Sequence, residues 1–245
     1  MATGGGKFED SDPGSKGLRI HQAIARQIGM AILSGEYAPG SGLGGEIERS
    51  EALRISRTAY REAIRILVAK GLLESRPKAG THVTPRARWN LLDPDILAWM
   101  FSGTPDTTFI RDLFELRGVL EPAAAALAAK RRSDTQLAEM RAALDEMARE
   151  GLASSAGRLA DQQFHNTMLA AAGNQALASL SSSVGAAVQW TTQFKQRLRQ
   201  NPRDPQAEHE AVYAAIAAAD PAQASETMRT LLDLALSDMA PAAAS

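Results

Sequence analysis

The chain has 245 residues, no cysteine and a formal net charge of −1 at pH 7, which excludes disulfide-held folds, thiolate metal sites and any general polycation. The charge is nevertheless split: residues 1–89 carry 14 basic and 9 acidic side chains, net +5, and residues 90–245 carry 13 and 19, net −6. A basic first third ahead of an acidic remainder suits a DNA-binding domain joined to something else.

Residues 1–17 are rich in Gly, Ser and Asp and lack an apolar core. They are expected to be a disordered tail, neither signal peptide nor membrane span. No apolar run approaches membrane-helix length, so the protein is expected to be cytoplasmic. Leu18 to Leu33 reads as an amphipathic helix with Ile20, Ile24, Ile28 and Ile32 at i+4 spacing, closed by Ser34-Gly35. A second helix is expected from Glu46 to Leu53. A third opens at Ser56, whose hydroxyl can accept a free N–H of the first turn. At about 100° per residue, Tyr60, Ala63, Ile64, Leu67 and Val68 share an apolar face, while Thr58, Arg61 and Arg65 share the opposite one. Such a helix can be pressed into a DNA major groove; the alternative is a solvated charged face. Gly71 ends it. Two short extended runs then flank the basic turn Arg76 to Gly80, as in a β-hairpin wing beside a helix-turn-helix.

Residues 86–104 read as a linker with a short helix capped by Asp93 with Pro94 at its first position. From Asp106 onward the chain is alanine-rich and periodic, with six helices expected near 106–131, 134–150, 156–172, 175–199, 205–219 and 221–239. Short connections imply antiparallel neighbours and a helical bundle over 105–240. On the third of these helices Asp161 and His165 fall inside the stripe of Phe164, Met168 and Leu169. On the fifth, His209 falls beside Val212 and Ile216. A carboxylate there needs a strong partner, and the i, i+4 pair can reach one cation. Either the three residues hold a divalent metal or they are hydrogen-bonded core residues.

The segment "SGEYAPGSGL…ISRTAYREAIRILVAKGLLESRPKAGTHV" resembles the winged helix-turn-helix of the GntR family of bacterial transcription regulators, over roughly residues 18–85. The resemblance implies DNA contacts from Ser56, Arg57, Thr58, Arg61 and Gly80, to which the exposed face adds Arg65 and the wing adds Arg76. Four features depart from the family pattern: Arg49 in place of an apolar Leu, Arg54 in place of a turn Gly, Gly44-Gly45 in place of Pro-Thr, and Ile47 in place of a contacting Arg. "FIRDLFELRGVLEPAAAALAA", "DQQFHNTMLAAAGN" and "EHEAVYAAIAAADPAQASETM" resemble the FCD ligand-sensing domain of the FadR-type branch. Many members bind a divalent metal through one Asp and three His. Asp161, His165 and His209 match the first three, and Leu231 stands where the last His is usual.

The fold class is therefore mainly α: a winged helix-turn-helix followed by an all-α bundle. The resemblance implies zinc, nickel or manganese completed by water or ligand oxygen. It also places Arg117 where an arginine faces the ligand cavity, although an intrabundle salt bridge is the alternative. Trp190 either lines the same cavity or packs the core. Lys195, Arg197 and Arg199, near the end of their helix, are expected to be solvated or to favour the helix dipole. "WNLLDPDILAW" is similar to sugar-acid regulators of the galactonate-repressor type. The expected function is a homodimeric repressor of double-stranded operator DNA that responds to a small carboxylate. A sugar acid comes first, lactate or a dicarboxylate next; a metal-dependent enzyme fused to a DNA-binding domain is the remote alternative, since no nucleophile elbow or phosphate loop is present.

Overall fold

The computed structural model describes residues 13–76 and 80–239, with side chains from Ile20 onward. Most of the expected tail, 1–12, and the tip of the expected wing, 77–79, lie outside the described residues. The chain divides into two compact units, Met1–Leu91 and Leu92–Ser245.

The first unit contains α1 (Pro13–Leu33), α2 (Glu46–Ala52), α3 (Arg57–Ala69), β1 (Leu73–Arg76), β2 (Gly80–Val83) and a 3-10 turn at Arg86–Arg88. Helix α1 starts five residues before the expected Leu18, so residues 13–17 are helical, not tail. Its isoleucine stripe is only half core: Ile24 and Ile32 are buried and Ile20 is exposed. Each i+4 step advances about 40° around a helix, so a run of four such residues drifts off the buried face. The same drift places Val68 at the edge of the stripe of α3, 41% exposed, while Tyr60, Ala63, Ile64 and Leu67 are buried.

Ser56 caps α3 by accepting from the Ala59 N–H at 3.1 Å. Gly71 ends the helix at φ +75°, and a Cβ there would stand 2.2 Å from the Arg88 carbonyl oxygen. Only glycine fits that turn. The strands then pair antiparallel, Leu73 opposite Val83 and Arg76 opposite Gly80. Residues 41–43 extend the wing, with Leu43 N–H donating to Thr81 O and Val83 N–H to Ser41 O.

The second unit is helical throughout its described residues. Helix α4 (Pro94–Ser102) is capped by Asp93, which accepts from the Asp95 and Ile96 N–H groups. It is followed by α5 (Thr107–Arg131), α6 (Asp134–Glu150), α7 (Ser155–Ala171), α8 (Gln175–Ala178), α9 (Ser181–Leu198), α10 (Gln206–Ala217) and α11 (Pro221–Ser237). The fourth expected helix, 175–199, is thus two. Ser179 and Ser181 turn their hydroxyls back onto the carbonyls of Ala176 and Ala178 at 2.8 and 2.7 Å, and such local bonds compete with the helical ladder. Helix α5 packs against α7, α10 and α11, and α7 against α6 and α9. Between them lies a core of alanines with Met140, Leu144, Phe164, Met168, Leu169 and Ile216. Small side chains let the helices approach closely, leaving little interior room for a polar cluster unless its members satisfy one another.

Candidate functional site

The outer face of α3 carries exposed Ser56, Arg57, Thr58, Arg61 and Arg65. Arg61 donates through Nε to Glu46 at the start of α2 at 2.9 Å, and Arg65 pairs with Glu62 at 2.5 Å. Arg76 pairs with Glu74, which also accepts from Arg88, both at 2.5 Å. These two arginines hold the Glu74 carboxyl below its ordinary value. Gly80 has φ +87° with open space around the position of a Cβ. Surface pairs of this kind contribute little stability. They leave a row of guanidinium groups that phosphates and base edges can take over from the glutamates.

The second unit builds a buried cluster from four helices. His165 (α7), His209 (α10) and Asp161 (α7) are 2–3% exposed. His209 Nε2 lies 3.1 Å from Asp161 Oδ1 and 3.4 Å from His165 Nε2, and His165 Nε2 lies 3.6 Å from Asp161 Oδ1. Ligand atoms about 2.0–2.1 Å from one ion, at tetrahedral to octahedral angles, stand about 3.0–3.4 Å apart. The triangle is therefore close to a coordination face.

The outer nitrogens fix the tautomers. His209 Nδ1 is 2.8 Å from the Pro205 carbonyl oxygen, which only accepts, so Nδ1 carries the proton. His165 Nδ1 is 2.5 Å from Glu121 Oε2, and the same reasoning applies. In the neutral rings, both Nε2 lone pairs then point into the triangle. Asp161 Oδ2 accepts from Thr192 Oγ1 at 3.0 Å, whereas Asp161 Oδ1 is buried without a hydrogen-bond donor of proper geometry. With both rings neutral, three acceptors converge with no donor among them, and that arrangement fits a cation. The edge of Phe164 packs against both imidazoles and holds their orientation.

Electrostatics agree. Burial alone would push the Glu121 carboxyl up, but Arg117 and His165 overcome it and hold it at about 2. Burial would lower His165, but Glu121 and Asp161 raise it to about 9. Burial also opposes ionisation of Asp161, yet the two imidazoles hold its carboxyl well below the carboxylate range. Without an ion, a proton on His165 supplies the positive charge that this corner demands.

Arg117, 4% exposed, donates through Nε to Glu121 Oε1 at 2.5 Å and lies over the Phe114 ring at 5.2 Å. The expected salt bridge and the expected cavity position are thus both present. Arg117 lines the cavity with the triad, and its terminal nitrogens have no hydrogen-bond acceptor among the described residues. The cavity volume is ≈ 30 Å³, and Leu231 forms part of its wall.

Three expectations need correction. Trp190 does not line this cavity. The face of α9 turned to it carries Val188, Thr191, Thr192 and Lys195, and Trp190 lies about 100° round the helix from Thr191. Lys195 is not solvated: it is 4% exposed, donates to Arg203 O at 3.2 Å and faces Asp238 at 3.6 Å. Arg199 is half-buried and donates to the Asp238 carbonyl, whereas Arg197 is exposed, as expected, and also donates to the Phe101 carbonyl. Glu121 was missed altogether. Its signal is a carboxylate at i+4 from Arg117 just ahead of the alanine run 123–126, but its His165 partner comes from a helix distant in sequence.

Comparison with known proteins gives two family matches, "Bacterial regulatory proteins, gntR family" over residues 20–83 and "FCD domain" over residues 112–234. The galactonate operon transcriptional repressor of Escherichia coli K12 is 36% identical over 163 residues, covering 66% of this chain and 71% of that protein. The transcriptional regulator LutR of Bacillus subtilis 168 is 30% identical over 202 residues, covering 80% and 90%. The solved structure of Lar, which controls the Listeria monocytogenes agr system, shares the fold with a TM-score of 0.62 at 17% identity, covering 95% of this chain and 98% of that one.

Proposed function

The chain belongs to the GntR family of bacterial regulatory proteins, carries the FCD domain and is a DNA-binding transcription regulator; on that premise we propose that it is a repressor sensing a small hydroxylated carboxylate, a sugar acid first. The observation that carries the reading is the convergence of Asp161 Oδ1 and the two histidine Nε2 atoms on the cavity that Arg117 also lines. Asp161, His165 and His209 would hold a divalent ion, zinc, nickel or manganese. The bound ion would supply a Lewis-acidic position for hydroxyl or carboxylate oxygen. Leu231, in place of a further ligand, leaves that side to water or effector.

Arg117 grips the effector carboxylate through its terminal nitrogens, while Glu121 keeps the guanidinium and the His165 ring aligned. Charge supports this division. Arg117 and Lys195 set against Glu121, Asp161 and Asp238 sum to −1, a divalent ion makes the buried group +1, and a monocarboxylate restores neutrality. The galactonate repressor named above favours a sugar acid. Lactate or a dicarboxylate is the second reading, because a cavity of ≈ 30 Å³ has about the volume of one water. A six-carbon acid must push the helices around the cavity apart, and that displacement is the proposed signal.

The exposed arginine face of α3 and the wing read operator DNA, and a homodimer reads a palindrome. DNA affinity changes by the effector's differential affinity for the two bundle packings. The test is operator binding with galactonate, gluconate, glucuronate and lactate, for wild type and Arg117→Ala. The variant should bind DNA normally and ignore the effector that releases the wild type. Release of the variant at the wild-type effector concentration would overturn the role of Arg117. Recovery of the effector unchanged separates a sensor from an enzyme.

A further inference from the structure

The DNA-binding unit contains a second, larger cavity, of ≈ 400 Å³. That volume is within the usual range of small-molecule pockets, roughly 300–1,000 Å³. It lies where the second half of α1, the α1–α2 loop, α2 and the start of α3 meet, and Ile28, Leu43 and Leu53 supply apolar wall. Four aromatic or charged side chains, Glu36, Tyr37, Arg49 and Tyr60, interrupt that wall. Arg49 of α2 is half-buried, donates through Nε to the Leu43 carbonyl oxygen and lies over the Tyr37 ring at 5.6 Å. Its terminal nitrogens have no hydrogen-bond acceptor among the described residues. Tyr60 of α3 is 4% exposed and also lines the cavity, and its hydroxyl makes no hydrogen bond to the described residues. Burial pushes this phenol's pKa up, so its O–H remains a donor.

A phenol hydroxyl and a guanidinium edge that line one cavity and donate to no protein acceptor are free to receive an acceptor from a ligand. The resembling regulators have leucine at position 49, which offers no donor. The arginine turns an apolar gap in this chain into an anion pocket. Glu36 also lines the cavity, but it is exposed and solvated, which favours a singly charged ligand over a dianion. We propose that this cavity is a second small-molecule site, for a monocarboxylate with a compact apolar body such as an aromatic acid, its carboxylate held by Arg49 and Tyr60. Arg49 and Tyr60 lie on the two helices of the helix-turn-helix, on either side of its connecting turn. An occupant therefore ties α2 to α3 and changes operator affinity independently of the bundle.

The experiment is fluorine NMR titration of the full chain with para-fluorobenzoate, using para-fluorobenzamide as the uncharged control. Saturable binding of the acid and none of the amide is expected. Arg49→Leu should weaken it about tenfold or more, as loss of a charged hydrogen-bond donor implies, while retaining operator binding as proof of folding. Tyr60→Phe, which deletes only the hydroxyl, should weaken it severalfold. Arg117→Ala should leave it unchanged. Absence of saturable binding, equal binding of the amide, full affinity in both Arg49→Leu and Tyr60→Phe, or loss in Arg117→Ala would each overturn the proposal.

Discussion

Glu121 Oε2 lies 2.5 Å from His165 Nδ1 while its other oxygen accepts from Arg117 Nε at 2.5 Å. One buried carboxylate thus orients both the candidate effector-binding arginine and a candidate metal ligand. Glu121→Gln retains the shape and loses the charge. It should weaken zinc binding about 10–100-fold, the usual cost of losing an outer carboxylate behind a histidine ligand. Competition against a chromophoric chelator measures this, and unchanged affinity would contradict the assignment.

Leu231 forms part of the cavity wall where the resembling domains supply another histidine. Leu231→His should add a ligand and tighten zinc binding by about tenfold or more. Protein purified without a tag and dialysed against zinc gives the baseline by elemental analysis. If the wild type takes up no ion and the histidine variant gains none, the triad is a hydrogen-bonded core.

Arg57 and Arg61 stand at the exposed start of the recognition helix α3. Alanine at either position should cost about 1–3 kcal/mol of specific operator binding, the value of a bidentate base contact. The loss should be smaller on unrelated DNA. Fluorescence titration at fixed salt distinguishes the two, and an equal loss on both sequences would reduce the arginine to a phosphate contact.

Arg54 occupies the left-handed region at φ 54° in the turn between α2 and α3. A side chain there costs about 1–2 kcal/mol. Arg54→Gly should raise the stability of the first unit by about 1 kcal/mol, visible as a higher Tm in its calorimetric transition. A lower Tm would mean that the arginine side chain contributes more than its backbone strain costs.

Local patterns determined much of this protein from sequence. The Ser56 cap and the Asp93-Pro94 helix start each depend on residues within one turn of one another, whereas the close Arg88 carbonyl that restricts position 71 to glycine comes from tertiary structure. Inward-facing Asp161, His165 and His209 were legible because helical periodicity alone sets which side of a helix a residue occupies. Tertiary structure decided what those faces meet. His209 comes within 3.1 Å of Asp161, and Glu121 couples His165 to Arg117, although 44 residues separate Glu121 from His165. Lys195 was misjudged as solvated because its partners, Arg203 O and Asp238, lie beyond its own helix. Trp190, which the sequence leaves open between cavity and core, falls outside the cavity lining because the rotation of α9 is set by its packing on α7 and α4. Periodicity fixes relative angles within a helix; only packing fixes which neighbour each angle faces.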